Sequence, residues 1–549
     1  MKTAYTFSAV CLILFCSNFA KGTQMIENPI LRGFNPDPSI VLVNDDYYIA
    51  TSTFEWFPGV AIHHSKDLVN WELACYALNS TKYIDLRGNP TSGGVWAPCL
   101  TYSDGLFYLV YSDVKHFAGP YKDVHNYLIT AKDINGPWSE PVYLNSSGFD
   151  PSMFHDDDGK KWLLNMLWDF RYERSDVFAG IIIQQYDPNT KKLIGPITNI
   201  FKGSSLGVTE GPHIYKLNGY YYLMTAEGGT GQGHAVTLAR SKNLLGPYEI
   251  QPDNPVLTAR NTPDSPLTRA GHASLVQTQT DQWYMVHLCG RPIKKDGKDR
   301  CVMGRETAIQ KVKWSDDGWL HLENNTNLPQ VIVPAPDLPL HPFAAEPARE
   351  NFDSKILNKH FSTLRVPPDE SWLSLAQRPG WLRIYGRESL GSKHRQSMVA
   401  RRITSLNSTA ETYVEFEPKT FQQAAGLICI YDTQNYYYIK VTNYDNVGKC
   451  VTVCTSINDE YKELSSQVFP LTEKGCFLKA EIDYDKLYLS YSFNGKQWNR
   501  INETFDITTL SDEACNEGSF TGAFVGICVQ DLAWTKLSAD FDFFEYNVK

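Results

Sequence analysis

Phe34-Asn35-Pro36-Asp37-Pro38-Ser39-Ile40-Val41, followed by Asn44-Asp45-Asp46-Tyr47-Tyr48-Ile49-Ala50, is a phrase that the chain repeats. A leading side chain opens an apolar run, a polar turn comes eight residues after it, and an aromatic-rich strand follows. The second copy is Trp96-Ala97-Pro98-Cys99-Leu100, its turn at Asp104-Gly105 and its strand Phe107-Tyr108-Leu109-Val110-Tyr111. The third is Asp150-Pro151-Ser152-Met153-Phe154 with Asp158-Gly159 and Trp162-Leu163-Leu164. The fourth is Glu210-Gly211-Pro212-His213-Ile214 with Asn218-Gly219 and Tyr220-Tyr221-Tyr222-Leu223-Met224. The fifth is His272-Ala273-Ser274-Leu275-Val276 with Thr280-Asp281 and Trp283-Tyr284-Met285-Val286.

A unit of roughly 55 to 60 residues that carries strand, short polar turn and strand describes an array of β-hairpins, not a helical solenoid. A second phrase lies downstream of the turns, as in Ser65-Lys66-Asp67-Leu68, Ala131-Lys132-Asp133-Ile134 and Ser241-Lys242-Asn243-Leu244. Each unit therefore supplies about four strands, one propeller blade, and closing the ring removes the long open edges. The predicted fold is an all-β five-bladed propeller over residues 26–327. In a propeller the first strand of each blade lies nearest the axis, so the leading residues Asp37, Trp96, Asp150, Glu210 and His272 converge on one pocket. Asp-Pro and Glu-Gly-Pro are also ordinary turn chemistry, and one copy alone would read as a turn. A carboxylate at the same phase in three of the copies, on a fold that gathers those positions, reads as a site.

With 549 residues, 42% of them hydrophobic and 13% aromatic, the chain can build more than one β core. A net charge of −10 without basic runs excludes nucleic acid and anionic membrane surfaces as partners. Lys2, the apolar stretch around Val10 to Phe15 and the small or polar residues up to Ala20 predict a cleaved signal peptide over 1–22 and a secreted or periplasmic protein. Cys16 follows Phe15, a poor match to a lipid-attachment site. Most cysteines are expected to be buried thiols, with Cys289 to Cys301 the candidate bridge. Asn79, Asn145, Asn324, Asn407 and Asn502 open glycosylation sequons.

The blade phrases stop after Trp319, and prolines 329, 334, 336, 339, 342 and 347 mark 328–347 as a linker. Beyond it, Glu411 to Glu417, Tyr436 to Val441, Phe477 to Ile482 and Leu487 to Phe493 alternate with period two. Residues 348–549 thus read as an antiparallel β-sandwich.

Three carboxylates among aromatics suit glycoside hydrolysis, in which one carboxylic acid protonates the leaving oxygen and a second carboxylate activates water. Metalloprotease, P-loop and serine-hydrolase motifs are missing from the sequence. Gly228 to Gly233 is glycine-rich but has no following helix to receive a phosphate, so it reads as a loop beside the pocket.

The motifs Asn35-Pro36-Asp37-Pro38-Ser39, Ser52-Thr53-Phe54-Glu55-Trp56-Phe57-Pro58-Gly59, Gly93-Gly94-Val95-Trp96-Ala97-Pro98, Phe149-Asp150-Pro151-Ser152, Thr209-Glu210-Gly211-Pro212-His213 and Gly304-Arg305-Glu306-Thr307 resemble the β-xylosidase and α-L-arabinofuranosidase group of glycoside hydrolase family 43. The resemblance implies Asp37 as general base, Glu210 as general acid, and Asp150 as the carboxylate that orients the acid and raises its pKa. It implies inversion, with the Asp37 and Glu210 carboxyls roughly 6.5 to 9.5 Å apart to leave room for a water. It further implies Arg305 on sugar hydroxyls, where a structural salt bridge is the alternative, and Phe54 and Trp96 as walls of the sugar pocket, where blade core is the alternative. His272 takes the place of an axial histidine that holds a water or a calcium ion; no cofactor is otherwise required. The carboxy-terminal half resembles the concanavalin-like β-sandwich of the β-xylosidase branch, which implies a sandwich loop closing the pocket with an aromatic residue; Phe524, in Gly522-Ala523-Phe524-Val525-Gly526, is the candidate.

The expected activity is exo-acting β-1,4-xylosidase. An α-L-arabinofuranosidase uses the same carboxylates, a non-catalytic carbohydrate-binding propeller is the reading from another class, and an endo-acting enzyme would need an open groove. The substrate partner is then a xylo-oligosaccharide or arabinoxylan. Oligomeric state is not set by the sequence.

Overall fold

The computed structural model describes residues 24–518 and 520–549. The expected signal peptide, with Cys11 and Cys16, lies outside them. Five antiparallel sheets, four of four strands and one, in blade 4, of five, form the blades of a propeller. Blade 1 comprises Ser39–Val43, Asp46–Thr51, Gly59–Ser65 and Glu72–Leu78; blade 2 begins with Gly94–Ser103, blade 3 with Ser152–His155, blade 4 with Glu210–Leu217 and blade 5 with Thr268–Gln277. The repeated polar turns are the hairpins between first and second strands. In blades 2 and 4 the two turn residues both have positive φ, at Asp104 (53°) and Gly105 (75°) and at Asn218 (50°) and Gly219 (77°). That is the backbone of the two-residue hairpin whose twist matches its strands, which is why Asp-Gly and Asn-Gly stand there.

A second regularity sits at the opposite end of the inner strands. Asp37, Ala97, Asp150, Gly211 and His272, one in each blade, have φ between 37° and 56°. A left-handed residue at the mouth of every blade re-aims the side chains there, and the registers slip at this point between Trp96 and Cys99, Glu210 and His213, and Gly271 and Ala273.

The carboxy-terminal half is a sandwich of two large sheets. Its strand Gln423–Asp432 is buried at every position. Ala425, Leu427, Cys429 and Tyr431 enter the core between the two sheets, whereas Ala424, Ile428 and Ile430 enter a cluster shared with Phe34, Phe54 and Trp56 of the propeller. Period-two alternation thus buries both faces, one against the partner sheet and one against the other domain. The propeller also lends a strand: Trp56–Phe57 pairs with Ser362–Leu364 at the edge of the sandwich sheet.

Two expectations need correction here. Cys289 and Cys301 are both free thiols. Cys289 packs with Leu267 and Ala308, while Cys301 Sγ sits over its neighbour Gly290, on the opposite face of the strand. The proline-rich segment 328–347 does not simply span two domains. Its residues Ile332–Pro334 pair with Met25–Glu27 in a two-stranded ribbon on the propeller, where an edge position tolerates proline.

Candidate active site

One cavity of about 300 Å³ opens at the mouth of the propeller, and Asp37, Phe54, Trp96, Asp150, Glu210, His272 and Arg305 all line it. Seven of the eight side chains singled out in the sequence therefore meet. The four charged ones are almost wholly desolvated: Asp37 is 5%, Asp150 8%, Glu210 6% and Arg305 4% exposed.

Asp37, Asp150 and Glu210 arrive on the inner ends of blades 1, 3 and 4 by the phasing already described. Arg305 reaches the pocket differently, because it precedes the third strand of blade 5, Glu306–Trp314. The segment leading into blade 1 lies alongside it: Asn35 N–H donates to the Arg305 carbonyl at 3.0 Å, and Thr307 Oγ1 donates to the Asn35 carbonyl at 2.6 Å. This contact joins the last blade to the first and sets Arg305 Nη1 3.1 Å from Asp37 Oδ1. Ser52 Oγ donates to the other oxygen of Asp37 at 2.7 Å, and His272 Nδ1 lies 3.5 Å from Asp37 Oδ1.

Asp150 Oδ2 accepts the Gly211 N–H at 3.1 Å, which ties the third carboxylate to the residue next to Glu210. Gly211 has to be glycine twice over: its φ is +56°, and a Cβ there would stand 2.9 Å from the His272 ring. Burial raises the Asp150 carboxyl to about 6; His272 opposes that shift and the Asp37 charge adds to it. Glu210 is held well above the usual carboxylate range, first by burial, then by the charges of Asp150 and Asp37, against a smaller lowering by Arg305. Burial, with the charges of its neighbours added, thus biases one carboxyl of the group toward its protonated form, the direction that a general acid requires.

The remaining wall is aromatic. Phe54, Trp96, Phe117, Phe149, Trp168, Phe178 and Phe520 surround the carboxylates, and Lys122 Nζ lies 4.1 Å from the Trp168 ring centre. Trp96 is fixed by its Nε1 donating to the Ser92 carbonyl at 2.8 Å. The Arg305 guanidinium sits 5.5 Å from the ring centres of both Phe54 and Phe520.

Phe524 is the one expected site residue that the structure places elsewhere. It is fully buried, stacked on Trp56 at 3.8 Å, and begins the strand Phe524–Asp531. Alternation along that strand sends Val525 and Ile527 into the sandwich core and Phe524 toward the propeller. The aromatic residue that the sandwich does contribute to the pocket is Phe520, four residues earlier in an irregular loop. Its carbonyl accepts from Arg305 Nη2 at 3.0 Å and its N–H donates to Ser92 Oγ at 3.2 Å. That loop is pinned to the propeller by Arg269, which donates to Asp512 at 2.8 Å and also pairs with Glu513. It passes so close to Gly304 that a Cβ there would fall 2.0 Å from the Thr521 carbonyl oxygen.

Calcium takes about six to eight oxygen ligands. Among the described residues no three His, Cys, Asp or Glu side chains are grouped to hold a metal, so the side chains around His272 do not by themselves fit such an ion.

A propeller mouth with three desolvated carboxylates, one of them shifted well above the usual carboxylate range, within an aromatic wall defines a glycoside-hydrolase type of site. The comparisons with known proteins agree. Residues 26–320 match the model of Glycosyl hydrolases family 43, and residues 349–547 match the Beta xylosidase C-terminal Concanavalin A-like domain. The chain is 50% identical over 534 residues to a Beta-xylosidase of Bacillus subtilis (strain 168), covering 95% of this chain and 100% of that one. It is 46% identical over 532 residues to Xylosidase/arabinosidase 43B of Humicola insolens, covering 95% and 97% of the two chains. The crystal structure of xylan beta-1,4-xylosidase from Bacillus Halodurans C-125 superposes with a TM-score of 0.93 at 52% identity, over 95% of this chain and 100% of that one. The chain belongs to glycosyl hydrolase family 43.

Proposed function

We propose that this protein is an exo-acting, inverting β-xylosidase that releases xylose from the non-reducing ends of β-1,4-xylo-oligosaccharides. One observation carries the reading: Asp37, Asp150 and Glu210, from three different blades, face a single aromatic-walled pocket in which burial and the neighbouring carboxylates push the Glu210 carboxyl well above the usual range. In this mechanism Glu210 delivers its proton to the glycosidic oxygen as the bond breaks. Asp37, oriented by Ser52 and Arg305, takes a proton from the water that attacks the opposite face of the sugar. Asp150 acts through Glu210 and the Gly211 amide without touching the reacting atoms. The exo mode is supported by Phe520, which brings the sandwich up to one side of the mouth where a through-going chain would need open space. The signal peptide read in residues 1–22 supports an activity outside the cytoplasm.

An α-L-arabinofuranosidase activity is the second reading. It is supported by the relative whose name carries both activities, and the same carboxylates would serve it. Glu210→Ala should lower hydrolysis of nitrophenyl β-xyloside by roughly 10² to 10⁴-fold with thermal unfolding unchanged, and NMR of the wild-type reaction should show α-xylose as first product. Undiminished turnover in the variant, or β-xylose as first product, would sink the mechanism. The ratio of rates on nitrophenyl β-xyloside and α-L-arabinofuranoside decides between the two sugars.

A further inference from the structure

One wholly buried glutamate beside the pocket takes no part in the mechanism above. Glu227, 0% exposed, ends the second strand of blade 4, Tyr220–Glu227. On that strand it follows Ala226, the cross-strand partner of Glu210. It therefore stands at the mouth of the blade, where the segment 203–209 enters Glu210 and the glycine-rich segment 228–233 begins.

Its carboxylate gathers the first of these segments. Oε1 accepts the Ser204 N–H at 3.0 Å and the Thr209 hydroxyl at 3.3 Å, and Oε2 accepts the Ser204 hydroxyl. The Gly228 N–H, next along the chain, donates to the Gly207 carbonyl at 2.8 Å, so the two segments are tied together where Glu227 stands. Packing there is close: Gly203 has a φ of +90°, and a Cβ on it would fall 2.0 Å from Thr209 Oγ1. Both segments reach the catalytic cavity, Val208 from one and Gly229 and Thr230 from the other.

Burial raises the Glu227 carboxyl, and the groups that oppose the shift are an amide and hydroxyls, with no Lys, Arg or His among them. A buried carboxylate without a cationic partner is costly, and an apolar side chain would fill the space at less cost. The charges that raise the Glu210 pKa are those of Asp150 and Asp37. What Glu227 supplies is therefore a set of acceptors at fixed positions on the chain that leads into the acid.

We propose that Glu227 is a positioning residue for the general acid: by holding Ser204 and Thr209 it fixes the backbone entering Glu210, and so the place from which the proton is delivered. This rests on Glu210 being the acid of the mechanism above. Displacing a catalytic group by about 1 Å can cost on the order of 10²-fold in rate, and the loss falls on the step that group serves.

The test compares two substrates by the help their leaving groups need. Cleavage of xylobiose requires a proton on the glycosidic oxygen, whereas dinitrophenyl β-xyloside expels a stable phenolate without one. Glu227→Ala should lower kcat/KM on xylobiose at least about tenfold and on the dinitrophenyl substrate less than about threefold. Glu227→Gln should recover most of the xylobiose rate, because its oxygen can replace Oε1 while its NH2 donates to a Ser204 hydroxyl turned to accept. Thr209→Val removes one hydroxyl at constant shape and should show the same selective loss, smaller in size; it carries the test if Glu227→Ala fails to fold. Glu210→Ala is the reference. If it lowers both substrates equally, the acid assignment fails and the positioning role with it. If Glu210→Ala is selective while Glu227→Ala and Thr209→Val lower both substrates alike or neither, the acid stands and the positioning role is overturned. A Glu227→Gln variant as impaired as Glu227→Ala also overturns it.

Discussion

Asp150 is the residue whose role is most open to measurement, because it works through another side chain. Burial is the first cause of the high Glu210 pKa and the Asp150 charge the second. Asp150→Asn keeps an oxygen for the Gly211 N–H and removes the charge. The acid should then ionise earlier, so the basic limb of the kcat/KM profile of an aryl xyloside should move to lower pH by on the order of one unit. A residue that merely braced the loop would lower the plateau and leave the limb in place. The same substitution has a stability signature of fixed sign. A carboxyl raised from 3.8 to about 6 binds its proton more tightly in the folded state. Its stabilising contribution is therefore complete below the ordinary carboxylate range and is lost as the pH rises through the folded value. Thermal unfolding should show Asp150→Asn gaining on the wild type between about pH 4 and pH 6, and a difference constant across that window would contradict the raised carboxyl.

Two phenylalanines of the sandwich, Phe520 and Phe524, separate wall from core. Phe520, at the tip of the loop held by Arg269, faces the sugar pocket, whereas Phe524 begins a strand and stacks on Trp56. Phe520→Ala should raise KM for aryl xyloside roughly tenfold, since it deletes apolar wall from the pocket, with little change in unfolding. Phe524→Ala should instead cost about 3 to 5 kcal/mol in denaturant unfolding, as a large cavity in a packed core does, with KM near that of the wild type. The opposite pattern would return Phe524 to the pocket. The contrast also marks what the sequence could reveal. The leading residues were readable because five phased copies of one phrase tell the axis from the rim, and their chemistry differs only where the site is built. Phe520 carries no such signal, being a single aromatic in an aperiodic loop placed by contacts of Arg269 and Arg305 from another domain. Gly-Ala-Phe-Val-Gly looked like a loop, but its phenylalanine obeys strand alternation. The pairing of Trp56–Phe57 with Ser362–Leu364 joins segments some three hundred residues apart, a distance over which no local pattern speaks.

At the scale of the whole molecule the two domains are predicted to be inseparable. Relative motion of domains is the default where an interface is small and polar. Here a propeller strand completes a sandwich sheet, and the strand Gln423–Asp432 buries its even-numbered apolar side chains only because the propeller covers them. Charge crosses the boundary too. Arg365, 1% exposed, donates through Nε to the Asn89 carbonyl at 2.9 Å, and its backbone N–H donates to the Glu55 carbonyl at 3.0 Å. The buried Glu55 carboxyl, raised to about 7 by burial and lowered by that same arginine, accepts the Ser92 N–H at 3.1 Å. Ser92 in turn holds both Trp96 and Phe520, so the interface and the pocket wall are one connected structure. Calorimetry of the full chain should therefore show one cooperative unfolding transition. A propeller ended at residue 345 should expose Phe34, Phe54 and Trp56, aggregate, and lack the Phe520 wall even where some of it folds. Two resolved transitions, or a soluble propeller fragment with wild-type kcat/KM, would show that the sandwich only decorates the catalytic domain and that the pocket needs nothing from it.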